Sequence, residues 1–358
     1  MGILRLILAI SVVIAHSSPI LGVSIVGGQI AVQAFYIISG FYMSLILNEK
    51  YVGQNGSYKL FLSNRFLRLF PIYWIVCLLV LAGSLMVMIQ SDFHAFGKLN
   101  EYLSYYHQMG LWSFIFLIFT NLFLLGQDLV MFLGLNTDTG ALFWTENFRN
   151  TSPALCNFLL VPQAWTIGVE IAFYLVAPFI VRRKINWVLL LILASLVLRF
   201  GLYQSGLNFD PWTYRLFPAE LVFFLLGNLS YRIYKKIEHT QIHPSKLWIL
   251  TVIVLLITLL YNNFDFPLQM TIYFVITFTA LPFIFKLTKR ISFDNSIGDL
   301  SYPIYITHLF LLDIVNKLPK QEMLSKGAIL TLSAVIFSLL LNYLVSKPIE
   351  QFRQRRVK

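Results

Sequence analysis

The sequence predicts an all-α bundle of transmembrane helices, with about ten crossings and one further apolar segment that is re-entrant or interfacial. Three observations support this prediction: 58% of the 358 residues are hydrophobic, 12% are charged, and eleven apolar runs approach spanning length. Soluble chains carry about a quarter charged residues, and a spanning helix needs about 20 mostly apolar residues. The composition therefore excludes an ordinary cytosolic enzyme and a disordered chain.

The apolar runs fill nearly the whole chain and leave no stretch for a sizeable soluble domain. We therefore predict one integral-membrane domain over residues 1–358, with 347–358 as a short basic cytoplasmic tail. The runs are 3–23, 26–47, 68–90, 111–133, 163–181, 185–200, 215–233, 247–261, 267–285, 302–316 and 327–346.

The basic residues between these runs predict the topology, because Lys and Arg concentrate in cytoplasmic loops. With a cytoplasmic N-terminus and no crossing at 111–133, 20 of the 27 Lys and Arg residues lie inside. If 111–133 crosses, the number inside falls to 11. Ten crossings with both termini cytoplasmic is therefore the predicted topology. The net charge of +11 is then explained by the orientation of the chain in the membrane. We therefore do not interpret it as a nucleic-acid-binding surface and expect no nucleic-acid partner.

Ionisable residues inside spanning helices are functional candidates, because burying them in lipid is costly. Arg5 and His16 are eleven residues apart, which places them on nearly the same helical face about 16 Å from each other. The alternative for Arg5 is that its charge only sets the orientation of the helix in the membrane. The alternative for His16 is that it is a structural histidine packed in the core. We expect His16 to lie near the middle of the membrane.

Two further polar elements precede residue 75. Ser39 and Gly40 lie in an aromatic run, where small residues also permit close helix packing. Arg65 and Arg68 are three residues apart and form a fork suited to phosphate oxygens. The alternative for this arginine pair is a positive-inside anchor.

Two polar stripes follow in later segments. Thr166, Glu170 and Tyr174 follow Trp165 at intervals of four residues and so share a helical face. Burying a glutamate in the membrane costs free energy, so we expect Glu170 to have a functional role. At the start of the tenth apolar run, 302–316, Ser301, Tyr305 and His308 share a helical face, although His308 is also explained as a satisfied polar contact. The cysteines and the remaining histidines lack metal-ligand spacing, so we expect no metal.

Taken in order, these elements resemble the membrane-bound acyltransferase family 3, bacterial proteins that O-acylate cell-surface glycans. The resemblance covers nearly the full chain and depends on the order and spacing of its motifs. They are Arg5 with His16, the run Phe35 to Phe41 ending Ser-Gly-Phe, Arg65 with Arg68 and Pro71, Trp165-Thr166 with Glu170, Phe173 and Tyr174, and Ser301, Tyr302, Tyr305 and His308. Thr166 stands where members commonly have serine, and Ser346-Lys347-Pro348 lacks the acid that members often show there.

The resemblance implies transfer of an acyl group, by default acetyl, from cytoplasmic acetyl-CoA to a hydroxyl of a surface or lipid-linked glycan such as lipopolysaccharide O-antigen or exopolysaccharide. It also implies a bacterial inner membrane location. His16 would act as general base, since imidazole titrates near neutral pH, and Glu170 would orient it. Arg5, Arg65 and Arg68 would hold the acyl-CoA. The expected supporting residues are Ser39, Trp165, Thr166, Tyr174, Tyr305 and His308.

Two alternatives stay open at this level. Direct transfer is favoured over a covalent acyl-enzyme, because no serine or cysteine has a clear nucleophile setting. A transporter or flippase of a lipid-linked glycan would use Arg5, His16 and Glu170 to line a polar path. Transporters often show inverted repeats and paired broken helices, and the sequence shows no such symmetry.

Overall fold

The computed structural model describes residues 1–319 and 325–357. They are mostly helical, with short 3-10 turns and one antiparallel hairpin between strands β1 (Leu133–Leu135) and β2 (Leu142–Trp144). The predicted all-α class is confirmed. The helices are α1 (Gly2–Ala15), α2 (Gly28–Glu49), α3 (Tyr58–Gln90), α4 (Asn100–Tyr105), α5 (Leu111–Phe123), α6 (Trp165–Ile180), α7 (Ile185–Gln204), α8 (Phe217–Ile237), α9 (Pro244–Leu260), α10 (Gln269–Thr288), α11 (Ser292–Gly298), α12 (Ser301–Val315), α13 (Lys326–Leu341) and α14 (Lys347–Arg355).

Within the described residues, seven helical stretches are long and apolar enough to cross a membrane. The chain is therefore a multi-pass membrane protein. The total of ten crossings stays a prediction, because α1 and α12 have 14 and 15 residues and α8 carries several charges. The seven stretches are Gly28–Glu49, Tyr58–Gln90, Pro162–Ile180, Ile185–Gln204, Pro244–Asn263, Gln269–Thr288 and Lys326–Arg355.

The predicted run 3–23 is not one continuous helix. Helix α1 ends at Ala15, and an irregular stretch with a bridge between Ile20 and Val23 leads to α2. Pro19 accounts for this end, because proline disfavours helical geometry in the residue before it. His16 therefore lies at the C-terminal end of α1, not inside a helix.

The predicted run 111–133 is also shorter as a helix. Helix α5 has 13 residues and ends where Leu124 takes a left-handed conformation with φ 61°. Thirteen residues extend about 20 Å, less than the roughly 30 Å hydrocarbon core. This segment therefore does not form a straight crossing helix, in line with the predicted topology.

The chain divides into two compact units. Unit 1 comprises Met1–Arg68, Ala177–Ile192 and Leu221–Lys358, and unit 2 comprises Leu69–Val176 and Leu193–Glu220.

Helices α1, α12 and α13 share an apolar core in unit 1. It includes Ala9 and Val13 of α1, Ile304 and Leu311 of α12, and Leu330 of α13. Close packing of such side chains fixes how helices lie against each other. The core therefore holds the polar residues of α1 and α12 in register.

Helices α1 and α12 run in the same direction. The Nη2 of Arg5, near the start of α1, donates to the hydroxyl of Ser301 at the start of α12 over 2.9 Å. His16, at the end of α1, lies beside His308, two turns further along α12. Ten crossings give these two helices the same direction, whereas an additional crossing at 111–133 would make them opposite. The parallel packing favours the predicted topology.

Asp294 of α11 fixes the first turn of α1. Its carboxylate accepts hydrogen bonds from the backbone amides of Gly2 (2.7 Å) and Ile3 (3.0 Å). Burial alone would raise the pKa of Asp294, but hydrogen bonds from the amino group of Met1 and from these amides hold it below its ordinary value. An acid at a helix N-terminus satisfies unpaired amides and the helix dipole.

In unit 2, Asn121 ties the end of α5 to its surroundings. Its Nδ2 donates to the hydroxyl of Tyr102 and to the carbonyl of Phe158, and its Oδ1 accepts from the amide of Leu160 at 2.8 Å. The neighbouring polar residues Gln127 and Asp128 are also buried. Burial inside protein is the setting in which a non-helical segment is tolerated at membrane depth.

Candidate active site

The first motif arginine is held at the start of α1. Besides its bond to Ser301, the Arg5 guanidinium lies 5.8 Å from the ring centre of Tyr42 in α2. Ser301 in turn donates to the carbonyl of Gly298 at 2.7 Å. A Cβ on Gly298 of α11 would lie 2.8 Å from the Cα of Gly2 of α1, so a glycine is needed where α11 meets α1. Two predicted elements, far apart in the chain, thus meet at Arg5 and Ser301.

The two motif histidines meet at the other end of α1. The rings of His16 and His308 are 5.0 Å apart between centroids, with 38° between their planes. His16 is exposed, whereas His308 is completely buried. The site therefore pairs one accessible imidazole with one enclosed imidazole.

Tyr305 determines which nitrogen of His308 carries a proton. The Nδ1 of His308 lies 2.5 Å from the carbonyl oxygen of Tyr305. A carbonyl can only accept, so a neutral His308 is protonated on Nδ1 and keeps a lone pair on Nε2. This Nε2 is buried and has no hydrogen-bond partner among the described residues. His308 therefore presents a hydrogen-bond acceptor.

The Ser-Gly-Phe run of α2 lies against α8. Gly40 touches the backbone of Phe224 so closely that an added Cβ would lie 1.9 Å from the carbonyl oxygen of Phe224. Gly227 of α8 approaches Ile37 equally closely. The glycine of this motif is thus required for helix packing, while Ser39 is half-buried beside it.

The part of helix α6 that belongs to unit 2 carries the glutamate stripe. The hydroxyl of Tyr174 donates to Oε1 of Glu170 at 2.5 Å, and Thr166 donates to the carbonyl of Gln163 at 3.3 Å. Glu170 and Tyr174 therefore share a face as predicted. The predicted pairing of Glu170 with His16 joins residues of different units and stays a prediction.

Trp165 is part of an aromatic and charged cluster that the sequence pattern did not indicate. The guanidinium of Arg215 lies 4.2 Å from the Trp165 ring centre and forms an ion pair with Asp210 at 2.5 Å. Arg149 binds the same carboxylate at 2.6 Å. Burial alone would raise the pKa of Asp210, but Arg215 and Arg149 hold it below its ordinary value. The cluster fixes the ring that opens α6.

Arg199 and Glu220 were also missed by sequence reasoning. Arg199 Nη1 binds Glu220 Oε1 at 2.8 Å, and the glutamate side chain is fully buried. Their position inside the predicted runs 185–200 and 215–233 was the available signal. Their mutual pairing gives them a structural role in unit 2.

The motif arginines Arg65 and Arg68 lie two to three turns after the start of α3. Arg65 is buried with 6% of its surface exposed, and Arg68 is exposed. Both belong to unit 1, as do Arg5, His16 and His308.

Comparison of the sequence with models of known protein families identifies the family. A family model described as an acyltransferase domain matches residues 1–347. The chain belongs to this acyltransferase family. The family 3 resemblance predicted from the motifs is thereby confirmed, and the protein is a membrane acyltransferase.

A relative from Aquifex aeolicus (strain VF5), named only as an uncharacterized protein, is 24% identical over 210 residues. This match covers 54% of the present chain and 89% of the relative. No solved structure matches.

Proposed function

We propose that this acyltransferase moves an acyl group, by default acetyl, from cytoplasmic acyl-CoA to a hydroxyl of a cell-surface or lipid-linked glycan. His16 is the general base of the proposed reaction. The observation that carries this assignment is the pairing of an exposed His16 ring with the buried His308 ring, 5.0 Å apart.

The proposed reaction needs one proton to move twice. The glycan hydroxyl oxygen attacks the thioester carbonyl carbon while His16 removes the hydroxyl proton. The carbon–sulfur bond then breaks, and the departing coenzyme A thiolate takes that proton from the His16 imidazolium. Base catalysis of this kind contributes about a hundredfold to ten-thousandfold to a rate.

His308 is a positioning residue in this proposal. Its Nε2 lone pair is available as an acceptor while Nδ1 is held by the Tyr305 carbonyl. An acceptor beside His16 stabilises the imidazolium that forms during transfer, as the carboxylate does in catalytic triads. Burial disfavours charge on His308 itself, so the proton stays on the accessible ring.

The test is the mass of surface polysaccharide from cells that lack this chain, rescued with wild type, His16→Ala or His239→Ala. His239 is an exposed histidine outside the helices and serves as the matched control. We expect wild type and His239→Ala to restore an increment of acetyl size, and His16→Ala to restore none at equal membrane abundance. Full restoration by His16→Ala removes His16 as the base, and wild type that changes polymer export without adding mass removes the acyl-transfer proposal.

A further inference from the structure

The C-terminal helix α14 is docked against the first turns of α3. Arg356 donates from Nη1 to Oδ1 of Asn64 at 2.9 Å and from Nη2 to the hydroxyl of Ser63 at 2.8 Å. The carbonyl of Val357 accepts from Nδ2 of Asn55 at 3.0 Å. All of these residues belong to unit 1. The segment predicted as a basic tail is therefore a fixed structural element beside Arg65 and Arg68.

Arg353 lies one turn before Arg356 and is enclosed by this docking. Only 6% of its surface is exposed. Its Nη1 pairs with Glu350, whose side chain is 42% exposed. The Nε of Arg353 is buried and has no hydrogen-bond partner among the described residues. A buried donor without an acceptor is costly, and more so on a charged group.

The charges around Arg353 increase this cost. Arg65 and Arg68 lie close enough to repel it electrostatically, and Glu350 is the carboxylate that attracts it. Arg353 thus lies near two further guanidinium groups, and its own carboxylate partner, Glu350, is partly exposed. A buried guanidinium that has an unsatisfied donor and two other guanidinium groups nearby is stabilised by a bound anion. Guanidinium forks match the oxygens of phosphate in geometry as well as charge.

We infer that α14 completes a phosphate-binding site, in which Arg353 supplies a third guanidinium beside Arg65 and Arg68. The ligand class is a phosphate monoester or diphosphate. Coenzyme A carries both groups, and its cytoplasmic location agrees with the predicted side of Arg65, Arg68 and α14. This inference rests on the proposed function for its choice of coenzyme A, since an anionic lipid headgroup offers the same phosphate chemistry.

The experiment compares Arg353→Gln with Arg355→Gln in the purified full chain. Arg355 lies on the same helix but is exposed, so both variants remove one positive charge from α14. Binding of coenzyme A, dephospho-coenzyme A and pantetheine is measured by calorimetry in detergent, and phospholipid that copurifies is quantified by mass spectrometry. Arg353→Lys is the second variant, because it keeps the charge and loses the fork.

We expect Arg353→Gln to weaken coenzyme A binding about tenfold to a hundredfold, the range for loss of one hydrogen bond to a charged group. Arg355→Gln stays within about twofold of wild type, and pantetheine binds all variants equally. The thermal midpoint of ligand-free Arg353→Gln is equal to or above that of wild type, because one repelling charge is gone. A purely structural Arg353 would lower that midpoint in both Arg353 variants and leave the affinity of the folded protein for coenzyme A unchanged.

The outcomes separate the two proposals. If wild type binds coenzyme A and both glutamine variants bind it equally well, the role of Arg353 is wrong while the acyl-CoA donor stands. If wild type does not bind coenzyme A, the donor assignment itself fails. If phospholipid copurifies with wild type but not with Arg353→Gln, and coenzyme A does not displace it, the phosphate belongs to a lipid headgroup and the coenzyme A assignment is overturned.

Discussion

The two ring nitrogens of His308 have different surroundings, and substitution can separate them. Nδ1 is bound to the Tyr305 carbonyl, and Nε2 is the acceptor assigned to the His16 imidazolium. Asparagine places its amide nitrogen near the position of Nδ1 and has no atom at Nε2. We expect His308→Asn to fold normally and to lower the acyl-transfer rate at least tenfold, measured as coenzyme A release by membranes supplied with acceptor.

A control for His308→Asn is His308→Leu, which removes both nitrogens and leaves the Tyr305 carbonyl without this donor. We expect the leucine variant to lose both activity and thermal stability. Wild-type activity in His308→Asn would show that the ring serves only as a donor to the Tyr305 carbonyl, and the positioning role would be abandoned.

At the residue scale, the sequence predicted the polar motif residues but not which of them meet. Arg5, His16, Ser301 and His308 were singled out because a polar residue on an apolar helix stands out, whereas the contacts of Arg5 with Ser301 and of His16 with His308 were not predicted. Arg353 was not found, because the positive-inside rule treats every arginine near a cytoplasmic end alike. Its burial depends on how α14 docks, and no local pattern in the sequence encodes that docking.

At the scale of elements, the close contact between α2 and α8 predicts that a larger residue at Gly40 lowers stability. Gly40→Ala would place a Cβ 1.9 Å from the backbone oxygen of Phe224, which cannot rotate away. We expect a loss of about 1–3 kcal/mol in stability, as for overpacked cores, measured as a lower thermal midpoint in detergent.

The matched control is Gly201→Ala in α7, where nothing lies within 4 Å of an added Cβ. We expect no loss there, since alanine is the better helix former by up to about 1 kcal/mol. Equal midpoints for the two variants would mean that α2 and α8 do not pack this closely.

Helix ends were the least predictable part of the elements. Hydropathy extends the first apolar run to Val23, whereas α1 ends at Ala15. Hydropathy measures transfer into lipid and does not respond to Pro19, which ends the helix through backbone sterics. Hydropathy also did not predict the end of α5, because Leu124 is apolar but takes a left-handed backbone conformation.

At the scale of the whole molecule, the topology can be tested by cysteine labelling. Asp138 is exposed in the turn between β1 and β2, after the segment that is predicted not to cross. In a background without Cys77 and Cys156, we expect Asp138→Cys to react with a membrane-impermeant reagent added outside cells. Lys184→Cys is the control and should react only after the membrane is opened. If Asp138→Cys reacts only after the membrane is opened, every later crossing has the opposite direction and the predicted topology is wrong.

The parallel pair α1 and α12 also has a consequence for how the protein is made. Arg5 and Ser301 are 296 residues apart in the chain, yet each motif residue on α1 is completed by one on α12. During synthesis the ribosome therefore delivers His16 long before His308. An unfinished or truncated polypeptide can enter the membrane but carries half of the histidine pair. The enzyme thus acquires its paired histidines only after the helices between α1 and α12 have been made.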